Sequence, residues 1–179
     1  MTKMVVVFHS GYGHTQRMAQ FVAEGAKASL VEINDEGLVT PEGWAELDQS
    51  DGIIFGSPTY MGVVSWQFKR FADSSSKQWY SRAWQDKVAA GFTISANLSG
   101  DKLSTLQYMM TLAMQHGMLW VGQSSHCDGG VNRLGSYSGV MAQVGSTQSA
   151  SEISLGDLET AKAYGLRVAE LTQRLHAKT

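Results

Sequence analysis

The 179-residue chain has one cysteine, Cys127, only two prolines, and no excess of either charge: 14 lysines and arginines stand against 16 aspartates and glutamates. One cysteine excludes an internal disulfide framework, so nothing calls for an oxidising compartment and the cytoplasm is the expected location. A net charge of −2 offers no basic footprint for nucleic acid or for an acidic membrane surface. The longest apolar runs fall far below the roughly 20 residues of a membrane span, and no charged-then-apolar leader opens the sequence. There is no G-x-S-x-G elbow for a serine hydrolase. The five histidines lack ligand spacing, and His126-Cys127-Asp128 has no second cysteine to support zinc, so no metal is expected.

What is present is an ordinary globular composition, 43% hydrophobic and 17% charged, in a chain long enough for one core; a single domain over residues 1–179 is expected. Apolar strand-like runs recur at Met4–Phe8, Leu30–Ile33, Gly52–Phe55, Val88–Thr93 and Met118–Val121. Helix-period stretches separate most of them, at Trp44–Gln49, Val64–Asp73 and Leu103–Gln115. A last helix over about Leu155–His176 is opened by Ser154 and Asp157 in the pattern of a capping box. Alternation of strand and helix implies right-handed crossovers and a parallel sheet covered on both faces. The expected fold is an α/β doubly wound, five-stranded parallel sheet in the order 2-1-3-4-5, with a ligand beyond the carboxyl ends of strands 1 and 3.

The loop there is Ser10-Gly11-Tyr12-Gly13-His14-Thr15, between a buried strand and a helix whose Met18, Phe21, Val22, Gly25 and Ala26 share a face. Free backbone N–H groups and the positive end of the helix dipole make such a turn an anion site. Gly11 and Gly13 permit a tight turn and close approach of a phosphate, and Ser10 and Thr15 add hydroxyl donors. A dinucleotide fingerprint would want a third glycine where Gln16 stands, although Glu32 sits near the expected acid. A triphosphate loop would want a lysine that is absent. A monophosphate held by amides and hydroxyls fits best; a glycine turn that merely joins strand to helix is the plain alternative.

The loop after strand 3, Gly56-Ser57-Pro58-Thr59-Tyr60-Met61-Gly62, is stiffened by Pro58 and offers the Tyr60 ring and the Met61 sulfur to a flat aromatic ligand, with Gly62 allowing close approach. The loop after strand 4 contains Ser95, Ala96, Asn97, Ser99 and Gly100, small and amide residues able to meet a polar ring edge. Residues 123–147, rich in Gly, Ser and Gln, form the least regular stretch, of a length that is usually functional or mobile.

Taken together, Ser10–Thr15, Gly56–Gly62 and Gln115-His116-Gly117-Met118 resemble the flavodoxin-like NAD(P)H:quinone oxidoreductases of the tryptophan-repressor-binding-protein type, along nearly the whole chain. The resemblance implies a flavodoxin-like fold with the FMN phosphate on the first loop, the isoalloxazine between the second and third, and NADH or NADPH as electron donor. It also implies His116 as the catalytic residue at the flavin, a quinone or similar small acceptor bound by Tyr12, Trp79 and His116, and a homo-oligomer, dimer or tetramer. Two departures stand out: Tyr60-Met61 replaces an Arg-Phe pair, and Ala96-Asn97-Leu98 replaces much of a glycine-rich loop. A flavodoxin-type carrier without its own substrate is the alternative, set back by weak net charge, since carriers steer onto partners by charged rims. Trp79, Tyr80 and Trp84 lie too close together to be expected all in one core, and suggest a subunit interface.

Overall fold

A computed structural model describes residues 2–177. In chain order the elements are β1 (Met4–His9), α1 (His14–Ala26), β2 (Ser29–Ile33), α2 (Pro41–Gln49), β3 (Gly52–Tyr60), β4 (Val63–Val64), α3 (Trp66–Ser74) and α4 (Ser76–Ser81), followed by β5 (Val88–Ser95), α5 (Lys102–Gln115), β6 (Leu119–Trp120), β7 (Val140–Gln143), a 3₁₀ turn (Ala150–Glu152) and α6 (Leu155–His176). The strands run β2-β1-β3-β5, all parallel, with β6 and β7 beyond β5. Five sheet positions in the expected order are therefore filled, as a flavodoxin-like α/β fold.

The fifth position differs in detail. Instead of one strand over Met118–Val121, it is shared: β6 pairs with Val88 and Ala89 at the start of β5, and β7 pairs with Phe92–Ser95 at its end. The chain leaves the sheet between them and returns in register. β4 is a further addition, antiparallel to the end of β3 through a two-residue turn at Met61-Gly62, where φ is 47° and 85°, the sign pattern of a type I′ hairpin.

Alternation along the strands divides the core. Val6, Phe8, Ile54, Ala90 and Phe92 face α1 and α6, while Val5, Val7, Ile53, Phe55 and Ala89 face α3 and α5. Each fully buried Val, Leu, Ile or Phe side chain of these clusters contributes roughly 1.5–3 kcal/mol relative to exposure. α1 and α6 touch backbone to backbone: a β-carbon on Gly165 would stand 2.1 Å from the Val22 carbonyl oxygen, and one on Gly25 still closer to that of Lys162.

Three local expectations change. α2 begins at Pro41 rather than Trp44, because Thr40 accepts from the Gly43 N–H and Pro41 sits at the first helical position. α3 starts at Trp66, capped by Ser65, because Val63 and Val64 are taken by the hairpin. Ser154 caps α6 without a side-chain bond, because the Asp157 carboxylate is buried and turned to Arg133 and to the Gln143 N–H; the capping box lies instead at Ser149 and Glu152.

Candidate functional site

Strands β1, β3 and β5 end together at one edge of the sheet, and a cleft of about 350 Å³ opens there. Its walls are Tyr12, His14 and Thr15 from the first loop, Pro58, Thr59 and Tyr60 from the end of β3, Ile94, Ser95 and Ala96 from the end of β5, and Val144 and Ser146 from the segment after β7. The floor is fixed by hydroxyls: Thr59 Oγ1 lies 2.8 Å from Thr93 Oγ1 and 2.7 Å from Thr105 Oγ1, tying β3, β5 and α5.

The first loop takes its shape from Gly13, whose φ of 84° is costly for any residue with a β-carbon, and from Ser10 Oγ, which accepts the Gln16 N–H at 3.0 Å. The first intrahelical bond is Arg17 N–H to Gly13 C=O. Upstream of it, the N–H groups of Gly11, Tyr12, Gly13, His14 and Thr15 meet no acceptor among the described residues, and neither does the Thr15 hydroxyl. No acid stands in the first turn of α1. A run of free donors at the positive end of a 13-residue helix is built for a phosphate. His14 Nε2 lies 2.8 Å from the Gln148 carbonyl oxygen and braces this loop against the one after β7.

The second loop is a rigid hairpin. Ser57 Oγ accepts the Ser65 N–H at 3.0 Å, and Ser65 Oγ lies 2.9 Å from His9 Nδ1. Tyr60 closes over the first loop: its hydroxyl would be 2.7 Å from a β-carbon on Gly11, so only glycine leaves that space free. Its ring stands edge-on to Tyr12, centroids 6.3 Å apart. Burial, and then Tyr12, push the Tyr60 phenol up from its ordinary value, so it is a neutral hydrogen-bonding group at physiological pH. His9 Nε2 is buried without a partner below the same loop, and desolvation holds that ring neutral against the pull of Asp35.

Thus Tyr12, His14, Thr15, Pro58, Thr59, Tyr60, Ser95 and Ala96 are brought to one cleft, with Ser10, Gly11 and Gly13 shaping the loop of free N–H groups at one end of it. Met61 and Gly62 are at the hairpin tip outside the walls, Met61 fully exposed. Asn97, Ser99 and Gly100 form the turn leading into α5, directly after the wall residues Ser95 and Ala96 and beside the cleft, with no side chain of theirs in its wall.

His116 and Trp79 are not at this site in their own chain. α5 runs antiparallel to the strands, so its C-cap His116 lies at the opposite edge of the sheet, beside the Gly117 carbonyl that accepts the Asp86 N–H just before β5. His116 is 2% exposed, its ring tilted 36° against that of Trp84, with Nε2 2.9 Å from Ser75 Oγ. Desolvation, helped by Arg82, lowers its pKa to about 4; it is a neutral core residue. Trp79, on α4, is at that same far edge and half exposed, next to Gln78, whose amide reaches Asp48 at the end of α2. Of the aromatic trio, Trp84 is fully buried and belongs to the core, while Tyr80 is exposed.

Ile94, Val144 and Ser146 were missed by sequence reasoning. The one available signal was the alternation of Val140, Ala142 and Val144 with Met141 and Gln143 inside the irregular stretch.

Residues 4–131 match the family model of NADPH-dependent FMN reductases. The chain is 53% identical over 186 residues to Flavodoxin FldP of Pseudomonas aeruginosa, covering 99% of this chain and all of that one. It is 35% identical over 202 residues to an NAD(P)H dehydrogenase (quinone) of Archaeoglobus fulgidus, covering 98% and 100%. The crystal structure of a flavodoxin, WrbA-like protein from Agrobacterium tumefaciens superposes with a TM-score of 0.84 at 55% identity, covering 97% of this chain and 99% of that one. With its phosphate-type loop and flavodoxin-like sheet, the chain belongs to the NADPH-dependent FMN reductase family and is an FMN-binding, flavodoxin-like oxidoreductase of the WrbA type.

Proposed function

We propose that this protein transfers two electrons from NADH or NADPH to a quinone or similar small acceptor. The observation that carries the FMN reading is the run of five unpartnered N–H groups at the start of α1, free of acids and opening on an aromatic cleft. When bound, FMN supplies the redox chemistry; the protein positions it and its partners. Thr15 and the amides of Gly11–Thr15 would hold the phosphate, and Pro58, Tyr60, Ser95 and Ala96 would flank the ring system. Tyr12, 80% exposed, is free to swing against a planar molecule entering the cleft. Nicotinamide and acceptor use the same mouth in turn, which gives ping-pong kinetics.

The identity to a protein named as a flavodoxin favours a second reading, an electron carrier. Against it, no lysine, arginine, aspartate or glutamate is among the residues that wall the cleft, and carriers are steered onto partner proteins by a charged rim. We further propose a cytoplasmic homo-oligomer, in which Trp79 from one subunit closes the cleft of a neighbour; its distance from the cleft of its own chain leaves that as its route to a flavin.

The deciding experiment is anaerobic mixing of the FMN-loaded protein with NADH and with NADPH, followed by steady-state turnover with benzoquinone. Bleaching of the flavin and parallel double-reciprocal lines are expected. No bleaching by either nucleotide would turn the assignment to the carrier.

A further inference from the structure

Helix α5 opens with a lysine that does not reach water. Lys102 is 1% exposed, and its Nζ donates to Ser95 Oγ at 2.8 Å, to the Asn97 carbonyl at 2.8 Å and to the Leu98 carbonyl at 2.9 Å. An ammonium has three protons, and all three are committed to the loop that leaves β5 beside the cleft. The next carbonyl back, Ala96, accepts from Gln143 Nε2 at 2.8 Å. Burial lowers the Lys102 pKa to about 8, with Asp157 opposing and Arg133 assisting the shift, so the amine is mostly charged at neutral pH.

Three successive carbonyls, from Ala96 to Leu98, are thus taken up by protein donors. In a planar trans peptide the N–H points away from its C=O. The N–H groups of Asn97, Leu98 and Ser99 therefore face away from those donors, and none meets an acceptor among the described residues. Gly100 completes the turn at φ 56°, with Ser95 Oγ 2.2 Å from where its β-carbon would be. In place of a glycine-rich loop, this chain has bulkier residues stapled from behind by a cation.

We propose that Lys102 is a positioning residue for the flavin ring: by holding the Asn97 and Leu98 carbonyls inward it aims the following N–H groups at the polar edge of the ring, and its charge favours the negative charge the ring gains on reduction. Oriented amides backed by a buried cation are worth most where charge develops, because they need no reorganisation when it appears. The proposal rests on the FMN reading above.

The test compares FMN affinity and the midpoint potential of bound FMN, set by photochemical reduction so that no nicotinamide is needed, in wild type, Lys102→Met and Lys102→Arg. Lys102→Met is expected to weaken FMN and riboflavin by the same factor, about tenfold, because the phosphate loop is untouched, and to move the potential negative. Lys102→Arg, which keeps the charge, is expected to stay nearer the wild-type potential. Unchanged potential in a folded Lys102→Met protein overturns the proposal, even if affinity falls, because a merely structural staple would weaken both redox states alike. If Lys102→Met does not fold, Lys102→Gln keeps two donors without the charge, and its potential must still move negative. A wild-type protein that takes up no FMN removes the reading beneath the proposal instead; one that takes up FMN but is not reduced by nicotinamides leaves this test intact.

Discussion

Trp84 and His116 lie ring against ring, centroids 4.4 Å apart, at the edge of the sheet where β5 and β6 begin. A histidine so placed serves stability, and its pH dependence follows from sign. The folded pKa of about 4 is below the ordinary 6.5, so between those values the unfolded chain binds the proton and the folded one does not. The contribution is complete above pH 6.5 and is lost as pH falls toward 4, on the order of 3 kcal/mol over the whole window. His116→Gln is expected to flatten the fall in Tm between pH 6.5 and 4.5. It should leave kcat and KM for benzoquinone within twofold of wild type. A hundredfold drop in kcat with an unchanged Tm profile would restore a catalytic role.

Thr15 is buried at the first loop with its hydroxyl uncommitted. Thr15→Ala should weaken FMN by about 1–2 kcal/mol, the loss of one hydrogen bond to a charged group, and leave riboflavin almost unaffected. Titration of flavin fluorescence with both ligands measures the difference. Equal affinity of the wild type for FMN and riboflavin would place the phosphate elsewhere.

Met61 occupies the left-handed region at the tip of the hairpin, φ 47°, where an asparagine is far better tolerated. Met61→Asn should raise the stability of the apoprotein by about 0.5–1 kcal/mol through relief of that strain. Chemical denaturation of both proteins, compared at equal m-value, gives the answer; a destabilised variant would mean that the methionine side chain is covered by something.

Trp79 is 46% exposed at the far edge. If it closes a neighbouring cleft, light scattering across a dilution series will find a dimer or tetramer, and Trp79→Ala will raise KM for the quinone several-fold while FMN affinity holds. A monomer with full activity at micromolar concentration would exclude the idea.

Much of the sheet could be read from residue order because its signals are local: Met4–Phe8, Gly52–Phe55 and Val88–Thr93 are apolar on both faces, as central parallel strands must be. The loops at residues 10–15 and 56–60 followed from them. The divided fifth position was not legible, because β7 is fixed by pairing with Phe92–Ser95, nearly fifty residues away in sequence, and its own alternation covers only four residues inside an irregular stretch. His116 was misplaced for a different reason. A motif that follows a helix in this topology falls at the strand starts, whereas the ligand edge collects residues that follow strands. The loop at Met61-Gly62 was read without its hairpin, because methionine is a poor sign of a type I′ turn, and Lys102 passed unnoticed because a lysine at the start of a helix reads as solvated.

The contact of Gly25 with Lys162 and of Gly165 with Val22 bears on the order of events during synthesis. The helix that follows the first loop, residues 14–26, is made well before α6, residues 155–176, which supplies the surface it packs against. Until that last segment clears the ribosome, one face of α1 has no partner and the anion site at its tip has no fixed backing. Cofactor capture is therefore expected to wait until residues 155–176 are available to pack on α1. A chain stalled before residue 155 should emerge without flavin.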